Sequence, residues 1–428
     1  MQQHVHSDGN VGLEAFPFPL AAALFPLHHS HTNISYRSTL IRQVFVRIRE
    51  VPFYRLRLNQ SEINRVVETL RSGWLTTGKT AHEFEQEFAD YVGAKHALAV
   101  NSCTAALHLS LLASGIGHGH EVITTPYTFV ATTETIIQTG AKVVFVDTER
   151  DSLNIDLHQI PAAITDRTKA IVPVHIAGLP IDLRKIESLR RKYKLTVIHD
   201  AAHALGATHQ GKPVGSTADF SCFSFYATKN LTTGEGGMVV TNSRRHYDNL
   251  RVLSLHGMSR DSWKRYSGSG SWKYQILQLG YKYNLSDINA AIGLIQLRRF
   301  EQIQKQRRRL AQMYHHYLAE IDELLLPSEP DGTTHAWHLY IVKLRNGGEQ
   351  RRNEVIEKLR SLGVGTSVHF IPLYLQPYYK KHYHYTRRDL PNSYAHYKSV
   401  ITLPFYVDLK EDEIKYVAKS LSGALRSV

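Results

Sequence analysis

The 428-residue sequence has few cysteines and no long apolar run, and each shortage excludes a class of protein. Its two cysteines, Cys103 and Cys222, cannot build a disulfide scaffold or a cysteine-rich zinc site. Both stand among apolar residues, which predicts small buried side chains in a reducing, cytoplasmic compartment. No run of about 18 apolar residues occurs, so the sequence predicts no transmembrane helix.

Charged residues, in contrast, are plentiful and unbalanced. Lys and Arg number 51 against 38 Asp and Glu, a net charge of +13, which suits a nucleic acid, an anionic membrane or an anionic small substrate. The one dense basic cluster, 305–309 (KQRRR), lies in a helical pattern and is expected on a solvated helix face. No basic run is interleaved with aromatic residues, so neither nucleic acid nor membrane is expected as a partner.

The first 50 residues differ in composition from the rest of the chain. They hold five histidines, at 4, 6, 28, 29 and 31, and prolines interrupt their only apolar stretch. The start lacks Lys and Arg and an unbroken apolar run, which a secretory signal requires. The histidines are irregularly spaced and have no cysteine or acidic partners, so no metal site is expected. We predict a disordered extension.

From about residue 58 to 295, short apolar runs rich in β-branched residues alternate with helical stretches. Such runs are typical of strands covered on both faces, and the alternation predicts a mostly parallel α/β sheet. The 43% of apolar residues suffices for a large core. The predicted strands are 121–124, 143–147, 170–176, 195–200, 220–225 and 237–241.

The pattern changes twice after this region. A helical spacing of apolar residues predicts a long connecting helix over 296–326. Beyond it, strand-like 338–344, a helical pattern at 352–362 and strand-like 366–370 predict a smaller α+β domain over 327–428. The predicted organisation is therefore a disordered extension (1–50), a large domain (51–295), a connecting helix (296–326) and a small domain (327–428).

Three motifs lie where strands of such a sheet would end, which is where open α/β sheets bind ligands. In 101–108 (NSCTAALH), hydroxyl residues precede a helix whose first N–H groups would seat a phosphate. The strand 195–200 ends in Asp200, and His203 follows. The strand 220–225 leads into Lys229 and a glycine-rich turn. Taken singly, each motif also has an ordinary structural interpretation. The first fits a helix cap, Asp200 fits an Asp that caps a helix, and Lys229 fits a surface lysine.

The order of the three motifs favours a chemical role. Lys229 follows an apolar strand. Burial at such a position favours the neutral form of the amine, which is the form that makes Schiff bases. Asp200 could pair with the protonated ring nitrogen of a cofactor. A phosphate seat, a strand-end Asp and a Lys 29 positions later match the requirements of pyridoxal 5′-phosphate (PLP).

On these residues the sequence resembles the DegT/DnrJ/EryC1/StrS family of PLP-dependent sugar aminotransferases, over about residues 58 to 380. The resemblance implies the fold-type-I aminotransferase architecture, with a mostly parallel mixed sheet covered by helices in the large domain and a small α+β domain at the C-terminus. The matching stretches are SGWLTTGK, YVGAKHALAVNSCTAALHL, EVITTPYTFVAT, HDAAHALGA, SFYATKNLTTGEGG, GYKYNLSDINAAIG and VHFIPLYLQPYY.

The resemblance also implies roles for single residues. Lys229 would bind the cofactor covalently and carry protons, Asp200 would hold the pyridinium nitrogen, and His203 would lie beside the phenolic oxygen or the substrate. Further cofactor contacts would come from Cys103, Thr104, Phe129, Ser224 and, reaching the neighbouring subunit of a homodimer, Asn284. Substrate contacts would come from Thr77, Tyr127, His369 and Tyr378. Taken singly, Phe129 and Asn284 fit structural roles better, and His369, Tyr378 and Thr77 fit them almost as well.

The activity that the resemblance implies is transfer of an amino group, with glutamate the expected donor, to a keto-sugar nucleotide. Amination at C4 is preferred, because 368–379 (VHFIPLYLQPYY) resembles members that act on 4-keto sugars carried on UDP or dTDP. One alternative is a PLP-dependent sugar dehydratase, but such enzymes replace the lysine by histidine or add an iron–sulfur cluster. The other is a PLP-binding regulator that contacts DNA through its positive charge.

Overall fold

The computed structural model describes residues 49–259 and 273–428. The predicted disordered extension lies outside the described residues, apart from its last two positions. Residues 48–428 form one compact unit, so the predicted boundaries at 51, 296 and 327 stay a prediction. Among the described residues, none of the helices combines the length and the apolar character that crossing a membrane requires.

Helices and strands alternate through the first part of the described chain, as expected. Up to residue 259 the helices are α1 (Gln60–Arg71), α2 (Lys79–Val92), α3 (Cys103–Ala113), α4 (Ala131–Gln138), α5 (Ile160–Ala163), α6 (Leu183–Tyr193) and α7 (Arg244–Ser254). The strands are β1 (His96–Val100), β2 (Glu121–Thr124), β3 (Lys142–Phe145), β4 (Thr168–Val172), β5 (Thr196–Asp200), β6 (Thr208–His209), β7 (Lys212–Pro213), β8 (Phe220–Ser224) and β9 (Gly237–Thr241).

Seven of these strands form one sheet, in the order β1-β9-β8-β5-β4-β2-β3. Only β9 runs against its neighbours, so the predicted mostly parallel α/β sheet is confirmed. Strands such as β2 and β9 are buried along their whole length, as their continuous apolar runs predict. The edge strand β1 was not among the predicted strands. The parallel strands bring their carboxyl ends to one edge of the sheet.

The remainder of the described chain is helical with short strands. It contains α8 (Asp287–Arg298), α9 (Phe300–Leu318), β10 (Leu324–Leu325), β11 (Thr333–Thr334), β12 (Tyr340–Leu344), α10 (Glu349–Ser361), α11 (Pro377–His382), α12 (Pro391–Ser399), β13 (Val400–Leu403) and α13 (Glu411–Arg426). Strands β10, β12 and β13 form a small antiparallel sheet. Apolar residues of this sheet pack with those of α9, α10 and α13 in a core of their own.

Three sequence predictions for this part of the chain were wrong. The connecting helix is two helices, because the backbone leaves the helical conformation at Arg299. Residues 366–370 do not form a strand, since they make only one isolated bridge, between Ser367 and Thr402. The basic cluster is not wholly on a solvated face: Lys305 and Arg309 are exposed, whereas Arg307 is only 2% exposed.

Candidate active site

A cavity of about 370 Å³ opens where the carboxyl ends of β1, β5 and β8 meet the start of β9. Its walls come from two parts of the chain. We call the first the strand wall, which consists of the strand-end residues Cys103, Thr104, Phe129, Asp200, His203, Ser224 and Lys229. We call the second the C-terminal wall, which consists of His338, Leu339, His369, Phe370, Leu403 and Phe405. The structure thus brings the three predicted motifs into one cavity.

The amino end of α3 forms an anion seat in the strand wall. Ser102 caps the helix by accepting a hydrogen bond from the N–H of Ala105 at 3.0 Å. Within the described chain, the N–H groups of Cys103 and Thr104 find no acceptor, and they lie at the positive end of the helix dipole. A Cβ atom on Gly237 would lie 2.6 Å from the backbone nitrogen of Cys103, so glycine is required there. This arrangement suits a phosphate group.

Asp200 ends β5 and is buried against the cavity. Its carboxylate accepts hydrogen bonds from Thr132 Oγ1 at 2.8 Å and from the N–H of Ala202 at 3.1 Å. Burial raises the pKa of Asp200, whereas these two hydrogen bonds and the charge of Lys229 lower it. A buried carboxylate that is held in one orientation is stabilised by a facing cation, such as a protonated pyridine nitrogen.

Lys229 lies in the turn that follows β8, where its N–H donates to the carbonyl oxygen of Tyr226 at 2.9 Å. Its side chain is half-buried and lines the cavity. Burial lowers the pKa of Lys229 to about 8, against opposing effects of Cys103 and Asp200. About a tenth of this amine is therefore neutral at pH 7, and the neutral amine is the form that attacks a carbonyl carbon.

His203 is held as a neutral imidazole with a defined proton. Its Nδ1 atom accepts a hydrogen bond from the N–H of Ala177 at 3.2 Å, so Nε2 carries the hydrogen. Burial holds the pKa of His203 well below its usual range, and the charges of Lys229 and His369 act in the same direction. The side chain therefore offers a hydrogen-bond donor to a group in the cavity.

Two aromatic residues of the predicted site have different surroundings. Phe129 lines the cavity and is 62% exposed, which leaves room for a flat ring against it. Tyr127 is fully buried and does not line the cavity, and its hydroxyl donates to the carbonyl oxygen of His369 at 2.7 Å. The side chain of Tyr127 thus positions the backbone of the C-terminal wall, and its expected substrate contact stays a prediction.

Other predicted substrate residues are likewise divided between the cavity and its surroundings. His369 lines the cavity, and its Nδ1 atom lies 2.9 Å from Thr402 Oγ1. Burial lowers the pKa of His369 to about 4, so its ring is neutral. Tyr378 does not line this cavity: it is half-exposed on α11, and its ring lies against His382 with centroids 4.6 Å apart.

Two more of the predicted residues, Asn284 and Thr77, contact each other outside this cavity. Asn284 Nδ2 donates to Thr77 Oγ1 at 2.7 Å, and the backbone of Asn284 pairs with Val100 at the end of β1. Neither residue lines the cavity of its own chain. A contact between Asn284 and the cofactor of a neighbouring subunit stays a prediction.

Sequence reasoning did not identify the residues of the C-terminal wall other than His369. His338 is the most polar of them: its ring lies 4.4 Å from that of His203, centroid to centroid. Its Nδ1 atom lies 3.2 Å from Asn230 Oδ1, and Asn230 Nδ2 donates to the carbonyl oxygen of Ala336 at 2.7 Å. The apolar run 339–344 that follows His338 predicts a strand, but it does not indicate that His338 lines a cavity.

The sequence profile of the DegT/DnrJ/EryC1/StrS aminotransferase family matches residues 57–422. The chain belongs to this family. The spore coat polysaccharide biosynthesis protein SpsC of Bacillus subtilis is 46% identical to this aminotransferase over 371 residues, which are 86% of this chain and 95% of SpsC. The family resemblance read from the motifs is therefore confirmed.

Solved structures give the same architecture. The putative sugar aminotransferase Spr1654 of Streptococcus pneumoniae in its PMP form is 32% identical, with a TM-score of 0.84 over 88% of this chain and all of that one. PseC of Helicobacter pylori, an aminotransferase of pseudoaminic acid biosynthesis, is 29% identical, with a TM-score of 0.83 over 89% of this chain and all of that one. The predicted fold-type-I architecture is confirmed.

This protein is a PLP-dependent sugar aminotransferase, and PLP is its cofactor. The residues present fit that group. The anion seat at α3 suits the phosphate, Asp200 suits a protonated ring nitrogen, and the open face of Phe129 suits the ring. Lys229 lines the same cavity and would supply the amine that binds the aldehyde carbon.

Proposed function

We propose that this aminotransferase transfers the amino group of glutamate to the C4 keto group of a hexose carried on a nucleoside diphosphate. The observation that carries the proposal is the shared cavity of Lys229, Asp200 and the anion seat. The preference for C4 comes from residues 368–379, of which His369 and Phe370 belong to the C-terminal wall.

The relatives support this class of substrate. SpsC takes its name from spore coat polysaccharide biosynthesis, and PseC is an aminotransferase of pseudoaminic acid biosynthesis. A net charge of +13 favours a substrate with two phosphates. The two buried, free cysteines support a reducing, cytoplasmic location, where activated sugars would be met.

PLP, when bound, supplies an electron sink for the bonds at the amine-bearing carbon. The chain's own contribution begins with Lys229, whose Nζ takes a proton from the α carbon of the donor and later gives it up. Its lowered pKa suits this task, because a proton carrier works best when its pKa lies near the working pH. Asp200 would keep the ring nitrogen protonated, and His203 Nε2 would donate a hydrogen bond to the phenolic oxygen of the cofactor or to the substrate.

We propose further that two copies of the chain share their active sites. Asn284 and Thr77 are hydrogen-bonded to each other and do not line the cavity of their own chain. This position supports a contact between Asn284 and the cofactor of a neighbouring copy. Mixing Lys229→Ala subunits with Asn284→Ala subunits tests this idea, because hybrid dimers would contain one intact site. Activity that reappears on mixing supports shared sites, and two variants that stay inactive together contradict them.

A two-step reaction tests the substrate and the donor. The holoenzyme is treated with glutamate, freed of it, and then offered UDP- and dTDP-linked 4-keto and 3-keto hexoses in turn. Glutamate is expected to change the absorbance of the bound cofactor, and only a 4-keto sugar is expected to restore it and yield an amino sugar by mass spectrometry. Restoration by a 3-keto sugar alone would contradict C4 amination. Loss of a hydroxyl without gain of an amine would indicate dehydration.

A further inference from the structure

Arg307 is a buried cation in the middle of α9. It is 2% exposed, and its Nη1 atom donates to the carbonyl oxygens of Trp337 at 2.9 Å and His338 at 3.4 Å. Its guanidinium lies 5.6 Å from the ring centroid of Phe405. Burial lowers the pKa of Arg307 to about 10, so the side chain stays charged at neutral pH. These contacts hold the C-terminal wall but leave part of the guanidinium unused.

The unused part is the edge formed by Nε and Nη2. Nε is buried and lacks a hydrogen-bond partner, and neither Nε nor Nη2 reaches an acceptor in the part of the chain that the structure describes. No carboxylate of residues 49–259 or 273–428 pairs with Arg307, whereas Arg299, which lines the same small cavity, pairs with Glu62. Buried charges are ordinarily paired, and the Nε–Nη2 edge of a guanidinium can bind a carboxylate through two parallel hydrogen bonds.

A cavity of about 240 Å³ adjoins Arg307, and Lys229 and Tyr54 line both this cavity and the main one. A second buried polar group faces the same space: the hydroxyl of Tyr406 has no partner, and the residue is 1% exposed. The one carboxylate on the lining, Asp408, is exposed and makes no ion pair with Arg307. A cation and a hydroxyl without partners thus line one small cavity, an arrangement that suits an anion.

The charges of the residues that line the main cavity indicate which anion would bind beside Arg307. Among the described residues that line it, Lys229 is the only lysine and there is no arginine, and its histidines are held neutral. An amino-acid donor brings its amine to the position of Lys229 Nζ. Its α-carboxylate is bonded to the same carbon as this amine. That carboxylate needs a cation beside Lys229. A volume of about 240 Å³ has room for a carboxylate.

We propose that the Nε–Nη2 edge of Arg307, together with the hydroxyl of Tyr406, binds a carboxylate of the amino donor next to Lys229. The inference rests on the proposed amino-acid donor and adds the side chains that recognise it. The sugar nucleotide uses the main cavity, which the hydroxyl of Tyr406 does not line, so removing that hydroxyl affects the donor and not the acceptor.

Calorimetric titration of the holoenzyme with glutarate tests the site without turnover, because glutarate has the carboxylates of the donor but no amine. Arg307→Gln is expected to weaken glutarate binding about 30-fold, since a charge-assisted bidentate contact is lost. Tyr406→Phe removes one hydroxyl and leaves the buried ring in place, and is expected to weaken binding about fivefold. The matched control is Arg309→Gln on the exposed side of the same helix, which is expected to leave binding unchanged.

The outcomes separate this inference from the proposed function. Two results would overturn the inference. Either glutarate does not bind the wild-type holoenzyme, or it binds Arg307→Gln and Tyr406→Phe as tightly as wild type. Arg307→Gln could fail to fold because it loses its contacts to Trp337 and His338. In that case the glutarate affinity of Tyr406→Phe still tests the inference. The proposed function fails instead if glutamate leaves the bound cofactor unchanged, whatever glutarate does. KM for the keto sugar is expected to stay within twofold of wild type in Tyr406→Phe.

Discussion

The two walls of the active-site cavity differ in how they are built. The strand wall takes its polar groups from the ends of β5 and β8 and from the start of α3, within the sheet. The C-terminal wall comes from segments 338–405, and its groups are either apolar or held neutral, as His338 and His369 are. We therefore expect the strand wall to carry the cofactor chemistry and the C-terminal wall to shape the space above it.

The strongest test of this division is Lys229→Ala, which removes the reacting amine from the strand wall. Transamination is expected to fall about 10⁴-fold, because no other lysine lines the cavity among the described residues. Steady-state assay of amino-sugar formation measures the effect. Lys212→Ala, an exposed lysine in β7, serves as control. A Lys229→Ala enzyme with near wild-type turnover would remove the basis of the proposed mechanism.

A smaller loss is expected from Asp200→Asn, which keeps the shape of the side chain but removes its charge. The turnover number is expected to fall about 10³-fold, because an amide does not stabilise a protonated ring nitrogen. Thr132→Val is the graded comparison: it keeps the carboxylate, removes one 2.8 Å hydrogen bond, and is expected to cost only a few-fold. Equal losses in the two variants would mean that Asp200 acts through geometry alone.

The buried amine of Lys229 also predicts a pH-dependent stability of the apoprotein. Its pKa is about 8 in the folded state against an ordinary value of 10.5, so the unfolded state holds the proton more tightly. Folding is therefore disfavoured below pH 8, and stability recovers as the pH rises from 8 to 10.5. Lys229→Met is expected to be more stable than wild type by about 2 kcal/mol at pH 7, with the gap closing toward pH 10. Urea unfolding of both apoproteins at pH 7 and pH 9.5 measures it. A gap that widens with pH would contradict the lowered pKa.

A smaller effect than that of Asp200→Asn is expected in the C-terminal wall. His338→Gln removes the ring that lies 4.4 Å from His203 and is expected to lower kcat/KM for the keto sugar about tenfold. Affinity for PLP is expected to stay unchanged, because the anion seat and Asp200 are untouched. His158→Gln, at an exposed position, is the control. If His338→Gln released PLP, the separation of roles between the two walls would be wrong.

Local sequence patterns were sufficient for six of the seven strands of the sheet and for the strand wall. Continuous apolar runs predict buried strands, and 121–124 and 237–241 coincide with β2 and β9. Strand ends of a parallel sheet meet at one edge, so Asp200 and Lys229 could be placed together before any contact was known. The roles assigned to them come from the resemblance to the family, because spacing alone also fits a helix cap and a surface lysine.

The remaining features depend on contacts between segments that are distant in the sequence. His338 and Phe405 reach the cavity through chain crossings that no local pattern records, and Tyr127, inside a matching motif, is buried beneath the wall. Arg307 shows the reason most clearly: among basic neighbours with the same helical periodicity, it alone packs between α9 and the C-terminal wall. Periodicity determines which residues share a helix face, but the burial of a charge depends on what packs against that face.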